Sequence, residues 1–302
     1  MRIAFALKTH VKTHPMPNFQ YSTFRIDGAK HRPLAGDLRY LNDGQPKPLV
    51  IFFHGFKGFK DWGTFNEIAG AIASAGYVFA KFNGSHNGTS PGRPSEFVDL
   101  EAFAHNTYSI EVEDLLRVID WLCAEGHALP DEEIDRNRCI LIGHSRGGGI
   151  SLLAAERSPY VTRCVVWGSV ADFNERFTRE QLTEWKATRK IEIWNSRTKQ
   201  NMPLDYGLIE DYHRNLARLE IQQAVKQLLI PVLALHGTED ETVYIEEAEN
   251  LSEWNARIRL VPIEGANHTF GGSHPWPQGQ ELPPHSLELI RETLAFLAEG
   301  NL

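Results

Sequence analysis

The sequence predicts an α/β fold in which a mostly parallel, eight-stranded sheet carries helices on both faces. Short apolar runs, each too short for a helix, recur along the chain. From the third run onward they alternate with segments of helical periodicity, as expected for parallel strands joined by crossover helices. A glycine-rich stretch from Gly143 to Gly149 joins one such run directly to a helical segment. These observations together favour a single sheet that is buried on both faces.

Each element is assigned from its local pattern. The strand candidates are residues 24–27, 34–41, 49–53, 77–82, 139–142, 164–167, 232–235 and 257–263. The helix candidates, whose apolar residues recur at helical spacing, are residues 65–74, 108–125, 148–156, 245–255 and 286–298. Residues 1–12 have a short apolar stretch and no small-residue cleavage site, so they are expected to form an edge strand rather than a secretory signal.

Length and composition indicate one domain over residues 1–302, since no linker divides the chain. Residues 171–225 interrupt the alternation of strands and helices and form a candidate insertion. This segment is polar and basic in places, yet it holds six aromatic residues: Phe173, Phe177, Trp185, Trp194, Tyr206 and Tyr212. It is interpreted either as a helical cap whose aromatic side chains roof a pocket or as a surface excursion that buries a small core of its own.

Composition excludes several classes of protein. A formal net charge of −8 argues against a nucleic-acid partner, which would need a basic surface. No apolar run is long enough to span a membrane. Three cysteines without a paired framework suit a reducing cytoplasm. The histidines show no metal-ligand spacing, and neither a dinucleotide fingerprint nor a P-loop is present, so we expect no metal and no cofactor. The oligomeric state is left open, a homo-oligomer included.

The pentapeptide Gly143-His144-Ser145-Arg146-Gly147 is the most informative motif. A strand, then Gly-x-Ser-x-Gly, then a helix is the context of a nucleophile elbow, where glycines are needed because side chains there would collide with neighbouring elements. Ser145 is therefore a candidate nucleophile. The alternative is a glycine-rich turn with a solvent-facing serine.

A serine needs a base and a residue that orients the base. Asp240 follows the strand at 232–235, and His268 follows the strand at 257–263, in the chain order Ser, acid, His. Glu239 and Glu241 are alternatives for the acid. His274 and His285 are alternatives for the base, although both lie in proline-rich turns.

Four ordered motifs carry a family resemblance: His54-Gly55-Phe56, GHSRGG at 143–148, HGTEDETV at 236–243 and GANHTF at 265–270. With them the chain resembles the α/β-hydrolase superfamily, in its serine esterase, monoacylglycerol-lipase-like, dienelactone-hydrolase-like and prolyl-oligopeptidase-like branches. The resemblance implies the α/β-hydrolase fold with a helical cap at 171–225, and His144 packed beneath the elbow. It also implies Ser145 as nucleophile, His268 as general base and then acid, Asp240 as its orienting partner, and an oxyanion hole from the backbone N–H groups of Phe56 and Arg146.

Three tryptophans, Trp185, Trp194 and Trp276, are candidates for the pocket wall. His86 or Asn87 is either a residue whose hydrogen bonds are satisfied within its own turn, which is the favoured interpretation, or a contact with substrate or with the oxyanion loop. The expected function is that of a serine carboxylesterase, which cleaves small-molecule esters of small acyl or aromatic acids through an acyl-enzyme. A serine aminopeptidase or an acyl-CoA thioesterase on the same triad is the alternative. A catalytically silent, ligand-binding member of the fold is the non-enzyme alternative.

Overall fold

An eight-stranded sheet forms the centre of the computed structural model, which describes residues 19–124, 129–196 and 198–299. Its strands are β1 (Phe19–Asp27), β2 (Pro33–Leu41), β3 (Lys47–Phe53), β4 (Val78–Asn83), β5 (Ile134–His144), β6 (Val161–Trp167), β9 (Val232–Gly237) and β10 (Ile258–Ile263). All eight predicted strands in this sheet are confirmed. The edge strand expected at residues 1–12 lies outside the described residues.

The strand order is β1-β2-β4-β3-β5-β6-β9-β10. Strand β2 runs antiparallel to both of its neighbours, β1 and β4, and the remaining pairs are parallel. The carboxyl ends of the parallel strands therefore meet at one edge of the sheet, where ligands bind in open α/β folds.

The helices cover both faces of the sheet. They are α1 (Phe65–Ser74), α2 (Leu100–Ala104), α3 (Tyr108–Cys123), α4 (Arg146–Arg157), α5 (Arg179–Thr188), α6 (Gly207–Arg214), α7 (Leu216–Leu219), α8 (Ile221–Gln227), α9 (Ile245–Trp254) and α10 (Pro284–Ala298). Strands β3, β4 and β9 are buried at every residue, which requires cover on both sides and explains why most of their residues are apolar. Within the described ranges, no helix has both the length and the apolar character needed to cross a bilayer.

Four charged side chains, of which Asp37, Lys60 and Lys81 are buried and Asp61 is partly buried, tie the segment after β3 to the sheet. Lys60 Nζ lies 2.5 Å from Asp37 and 2.6 Å from Asp61, and Lys81 Nζ lies 2.9 Å from Asp37 and also contacts Asp61. The Lys60 backbone N–H donates to the Asn83 side chain at 2.7 Å. Because each buried charge has opposite-charge partners, the cluster avoids the cost of an unpaired buried ion. The segment it anchors carries Phe56.

The insertion between β6 and β9 differs from the helical segment expected at 171–225. It contains α5, α6, α7 and α8, but also an antiparallel pair, β7 (Lys190–Asn195) and β8 (Gln200–Asp205). Helix α8 packs on α4 and α9 and so belongs with the layers that cover the sheet. Exposure alternates along β7, a period-two pattern. The pattern is short, and its pairing with β8 forms only in the tertiary structure.

Candidate active site

Ser145 occupies a sharp turn between the end of β5 and the start of α4, with φ 58° and ψ −125°. This backbone region is strained for any residue with a side chain. A Cβ on Gly143 would lie 2.3 Å from the Gly147 carbonyl oxygen, and a Cβ on Gly147 would lie 2.4 Å from the His54 carbonyl oxygen. Both positions therefore require glycine. The turn holds the serine at the carboxyl edge of the sheet.

His268 and Asp240 meet at the same edge. The Nδ1 atom of His268 lies 2.7 Å from Oδ2 of Asp240. An ionised carboxylate only accepts hydrogen bonds, so it holds the proton on Nδ1 and leaves Nε2 as the basic nitrogen. Ser145 and His268 both line one cavity.

The surroundings of Asp240 keep it ionised. Its Oδ1 accepts the backbone N–H groups of Thr242 and Val243, each at 2.9 Å. Burial on its own would raise the pKa of Asp240, but hydrogen bonds from His236 and His268 outweigh burial and hold the pKa well below its usual range. Of the three acids considered in the sequence, Asp240 is buried and contacts His268, whereas Glu239 and Glu241 are exposed.

The loop that carries His268 is fixed by His144. The Nε2–H of His144 donates to the backbone carbonyl of His268 at 2.9 Å, and the two ring centroids lie 4.8 Å apart. The expectation that His144 packs beneath the elbow is therefore wrong: the ring lies beside His268 and borders the cavity. His274 serves another contact, since its Nδ1 accepts the Gly63 N–H at 3.1 Å.

The loop after β3 lies against the elbow. A Cβ on Gly55 would be only 3.3 Å from the Ser145 Oγ, so Gly55 lets this loop reach the serine. The Nδ1–H of His54 donates to the Gly55 carbonyl at 2.9 Å, and burial lowers the pKa of His54 to about 4, which keeps the ring neutral. Asn87 donates to the Gly58 carbonyl at 3.3 Å and so contacts this loop, which is not the interpretation that the sequence favoured for it.

The two N–H groups expected to form an oxyanion hole both belong to residues on the cavity wall, Phe56 and Arg146. Arg146 is the first residue of α4, where a backbone N–H has no partner within its own helix. In the described part of the chain, neither N–H donates to a protein acceptor. Both remain available to a negatively charged oxygen bound beside Ser145.

The cavity has a volume of about 380 Å³. Its aromatic wall consists of Phe56, Trp62, Phe65, Tyr108, Phe173 and Phe177. The insertion supplies Phe173, Phe177, Ile193, Asn195 and Ser196.

None of the three tryptophans proposed from the sequence lines this cavity. Trp185 is fully buried within the insertion, where its Nε1–H donates to the Leu204 carbonyl at 3.0 Å. Trp194 is 55% exposed, because β7 turns its side chain outward. Trp276, in the segment after His268, is only partly buried and lies outside the lining. The pocket wall is aromatic, as expected, but different residues form it.

Sequence reasoning missed two kinds of contributor. His236 supports the acid, with its Nε2 at 3.5 Å from Asp240 Oδ2 and 2.8 Å from the Val243 carbonyl. The only sequence feature that could have indicated this contact is that His236 lies four residues before Asp240. Tyr108 and Phe173 stack at 4.0 Å although their positions are far apart in the chain, and no local pattern marks that contact. Among the described residues, no cluster of three or more His, Cys, Asp or Glu side chains could hold a metal ion.

Comparison with known proteins finds a hydrolase among the relatives of this chain. The chain is 24% identical over 248 residues to the 2,6-dihydropseudooxynicotine hydrolase of Paenarthrobacter nicotinovorans, which covers 80% of this chain and 55% of that protein. The chain thus spans about half the length of this curated relative.

Two solved structures share the fold. One is Est1E from Butyrivibrio proteoclasticus with bound ferulic acid, with a TM-score of 0.67 at 19% identity and coverage of 91% of this chain and 98% of that one. The other is an acetyl xylan esterase from Paenibacillus sp. R4, with a TM-score of 0.62 at 18% identity and coverage of 94% and 86%. Both likenesses confirm the α/β-hydrolase fold.

One family covers most of the chain. Residues 64–275, more than half of the 302, match the prolyl oligopeptidase family, and the matched range includes Ser145, Asp240 and His268. The chain therefore belongs to the prolyl oligopeptidase family of α/β-hydrolases.

Proposed function

We propose that this protein is a serine hydrolase that cleaves carboxylic esters of small acyl or aromatic acids through an acyl-enzyme intermediate. One observation carries the proposal: Ser145, on its strained elbow, shares a cavity with His268, whose Nδ1 lies 2.7 Å from the buried Asp240. A structural serine gains nothing from this arrangement, whereas a nucleophile needs each part of it.

The reaction proceeds in two balanced halves. His268 Nε2 takes the proton of the Ser145 hydroxyl while Oγ bonds to the ester carbonyl carbon. The carbonyl oxygen becomes an oxyanion, which the N–H groups of Phe56 and Arg146 stabilise. The intermediate collapses as the ester C–O bond breaks, and His268 gives its proton to the leaving alkoxide. Water then repeats the sequence on the acyl-enzyme, which releases the acid and restores Ser145.

The size and lining of the cavity support small substrates. A volume of about 380 Å³ is near the lower end for small-molecule pockets, and its aromatic walls suit a flat or short acyl group. Ferulic acid bound to Est1E and the esterase from Paenibacillus are consistent with this class. In this proposal the insertion at 171–225 acts as a cap within a single domain, since it supplies Phe173 and Phe177 to the wall.

A peptidase activity is the second candidate, and the family assignment favours it. The same serine can attack an amide, although an amine is a poorer leaving group than an alkoxide. Rates on matched nitrophenyl esters, peptide anilides and acyl-CoA thioesters distinguish the candidates. Anilides cleaved with a higher kcat/KM than every ester would replace the esterase proposal by the peptidase.

Covalent labelling tests the common part of both candidates. A fluorophosphonate should form one adduct, located at Ser145 by peptide mass spectrometry, because an activated serine attacks phosphorus as it attacks an acyl carbon. Ser252→Ala is the matched control: Ser252 lies on helix α9 outside the cavity, so this variant should label like the parent. If the folded protein formed no adduct, Ser145 would not be the nucleophile.

A further inference from the structure

The side chain of Arg146 is placed as a recognition group next to the nucleophile. Arg146 directly follows Ser145, lines the same cavity and is 12% exposed at its side chain. Its Cζ lies 3.9 Å from the centre of the Phe56 ring and 5.1 Å from that of Tyr108. Contact with two aromatic rings fixes the plane of the guanidinium by cation–π attraction.

The protein engages only part of this guanidinium. Nη1 forms an ion pair with Oε1 of Glu111 at 3.5 Å, a distance longer than a usual hydrogen bond, and Nη1 is the atom through which this pair is made. Glu111 lies outside the cavity lining, and its Oε1 already accepts the Asn106 amide at 2.7 Å. Within the described ranges no other acceptor lies within hydrogen-bond distance of Arg146. A guanidinium carries five N–H donors, so it retains donors for a ligand.

The charge of the cavity wall has the opposite sign to that of the whole chain. Lys57, Arg146 and Arg176 line it, and no carboxylate among the described residues does, although the chain has a net charge of −8. Arg176 is already engaged by an ion pair with Glu247. Lys57 Nζ lies 5.8 Å from the centre of the Phe56 ring. Lys57 Nζ also donates to the Trp194 carbonyl at 3.5 Å. Lys57 and Arg146 therefore both lie beside Phe56, next to the serine.

We propose that Arg146, assisted by Lys57, binds a carboxylate of the substrate, so that the preferred substrates are esters that carry a free carboxylate. This proposal rests on the proposed function and narrows its substrate class. A guanidinium binds a carboxylate through charge-assisted hydrogen bonds, and its planar fork fits both oxygens. The carboxylate takes no part in bond making and stays ionised while the ester bond is cleaved.

The experiment compares esters that differ only in this charge. Mono(4-nitrophenyl) esters of succinate, glutarate and adipate place the carboxylate on the acyl side, and their methyl-capped diesters are the neutral partners. The pair 4-carboxyphenyl butyrate and phenyl butyrate places it on the leaving group. For at least one pair, the parent protein should show a higher kcat/KM on the anionic ester.

The variant Arg146→Met removes the charge and keeps much of the length of the side chain. It should lower the ratio of anionic to neutral kcat/KM by about 10- to 100-fold, mostly through KM, since a hydrogen bond to a charged group is worth that much. Arg146→Lys should restore part of the ratio. Arg117→Met is the matched control, since Arg117 lies outside the cavity and is paired with Glu113, and it should leave the ratio unchanged.

Binding to Ser145→Ala separates this proposal from the proposed function. The monoanilide of glutaric acid and its methyl ester are titrated into this variant by calorimetry, and the anionic compound should bind more tightly. Equal binding of the two probes, or an ester ratio that Arg146→Met leaves unchanged, would overturn the carboxylate site even if fluorophosphonate labels Ser145. Tighter anion binding that Arg146→Met abolishes would support it even if Ser145 proved unreactive.

Discussion

The two sides of the cavity are built in different ways. On the sheet side, loops after β3, β5, β9 and β10 are held by close backbone contacts and buried polar partners. One such contact is at Gly147, where a Cβ would lie only 2.4 Å from the His54 carbonyl oxygen. On the insertion side, the wall consists of side chains, Phe173, Phe177 and Ile193 among them, from a segment whose β7 strand alternates between exposed and partly buried residues.

The two sides of the cavity should therefore differ in how well they tolerate substitutions. A wall made of backbone cannot adjust, because close-packed main chain has no other position to take. A wall made of side chains changes shape when a side chain changes and leaves the backbone in place. We therefore expect substitutions on the sheet side to abolish the reaction, and substitutions on the insertion side to alter which substrate is accepted.

The largest effects are expected from the three polar residues on the sheet side. Ser145→Ala or His268→Ala should lower kcat by about 10⁴- to 10⁶-fold, and the double variant should be little worse, since the residues act as a unit. Asp240→Asn should cost about 10⁴-fold because the amide favours the wrong tautomer of His268. Steady-state rates on a nitrophenyl ester measure all four variants.

The exposed neighbours of the acid are the controls for these variants. Glu239→Gln and Glu241→Gln should keep the parent rate, since both side chains point to solvent. A loss in either variant comparable with that in Asp240→Asn would move the acid to that residue. Additive losses in the double variant would contradict a shared mechanism.

A smaller effect is expected on the insertion side. Phe177→Ala enlarges the cavity, and each acyl methylene that gains burial is worth about 0.8 kcal/mol. The measurement is kcat/KM on nitrophenyl esters from acetate to decanoate. The preferred chain length should increase, kcat/KM on the longer esters should rise several-fold, and kcat/KM on acetate should change least. Trp194→Ala is the control, since that side chain is exposed outside the lining, and its profile should follow the parent. If folded Phe177→Ala kept the chain-length profile of the parent, the insertion would not determine which ester is preferred.

The last effect concerns the pH dependence of stability on the sheet side, not the reaction. Burial lowers the pKa of His54 from 6.5 to about 4, so between these values the unfolded chain binds a proton there that the folded chain excludes. The free energy of unfolding should therefore fall as pH drops through this window, by at most roughly 3 kcal/mol from His54. Urea unfolding at pH 7.5, 6 and 5 measures the slope.

In His54→Gln the slope over that window should become shallower than in the parent. His213→Gln, at an exposed helix position, is the matched control and should keep the parent slope. Equal slopes in the parent and His54→Gln would show that the buried ring does not exclude its proton.

Much of the fold was predictable because its signals are local. The strand at Cys139–Ile142, the elbow glycines and the helix after them are adjacent in sequence, so steric rules apply to them directly. Helix α1 was predicted with its observed bounds from apolar periodicity alone. The β7–β8 pair was not predicted, because its strands are short and partly exposed. Its contact with the rest of the insertion, such as the hydrogen bond from Trp185 to the Leu204 carbonyl, forms only in the tertiary structure.

The sequence by itself determined the strand–helix alternation, the need for glycine around Ser145, and the chain order of Ser145, Asp240 and His268. Only the tertiary structure decided which side chains meet: Asp240 rather than its neighbours contacts His268, and His144 lies beside that histidine. It also decided that Phe173 and Phe177 face the cavity, whereas Trp185, Trp194 and Trp276 do not. The physical reason is the distance along the chain over which each kind of interaction acts. Backbone sterics and periodicity act over a few neighbouring residues, whereas the direction of a side chain depends on packing against segments far away in the chain.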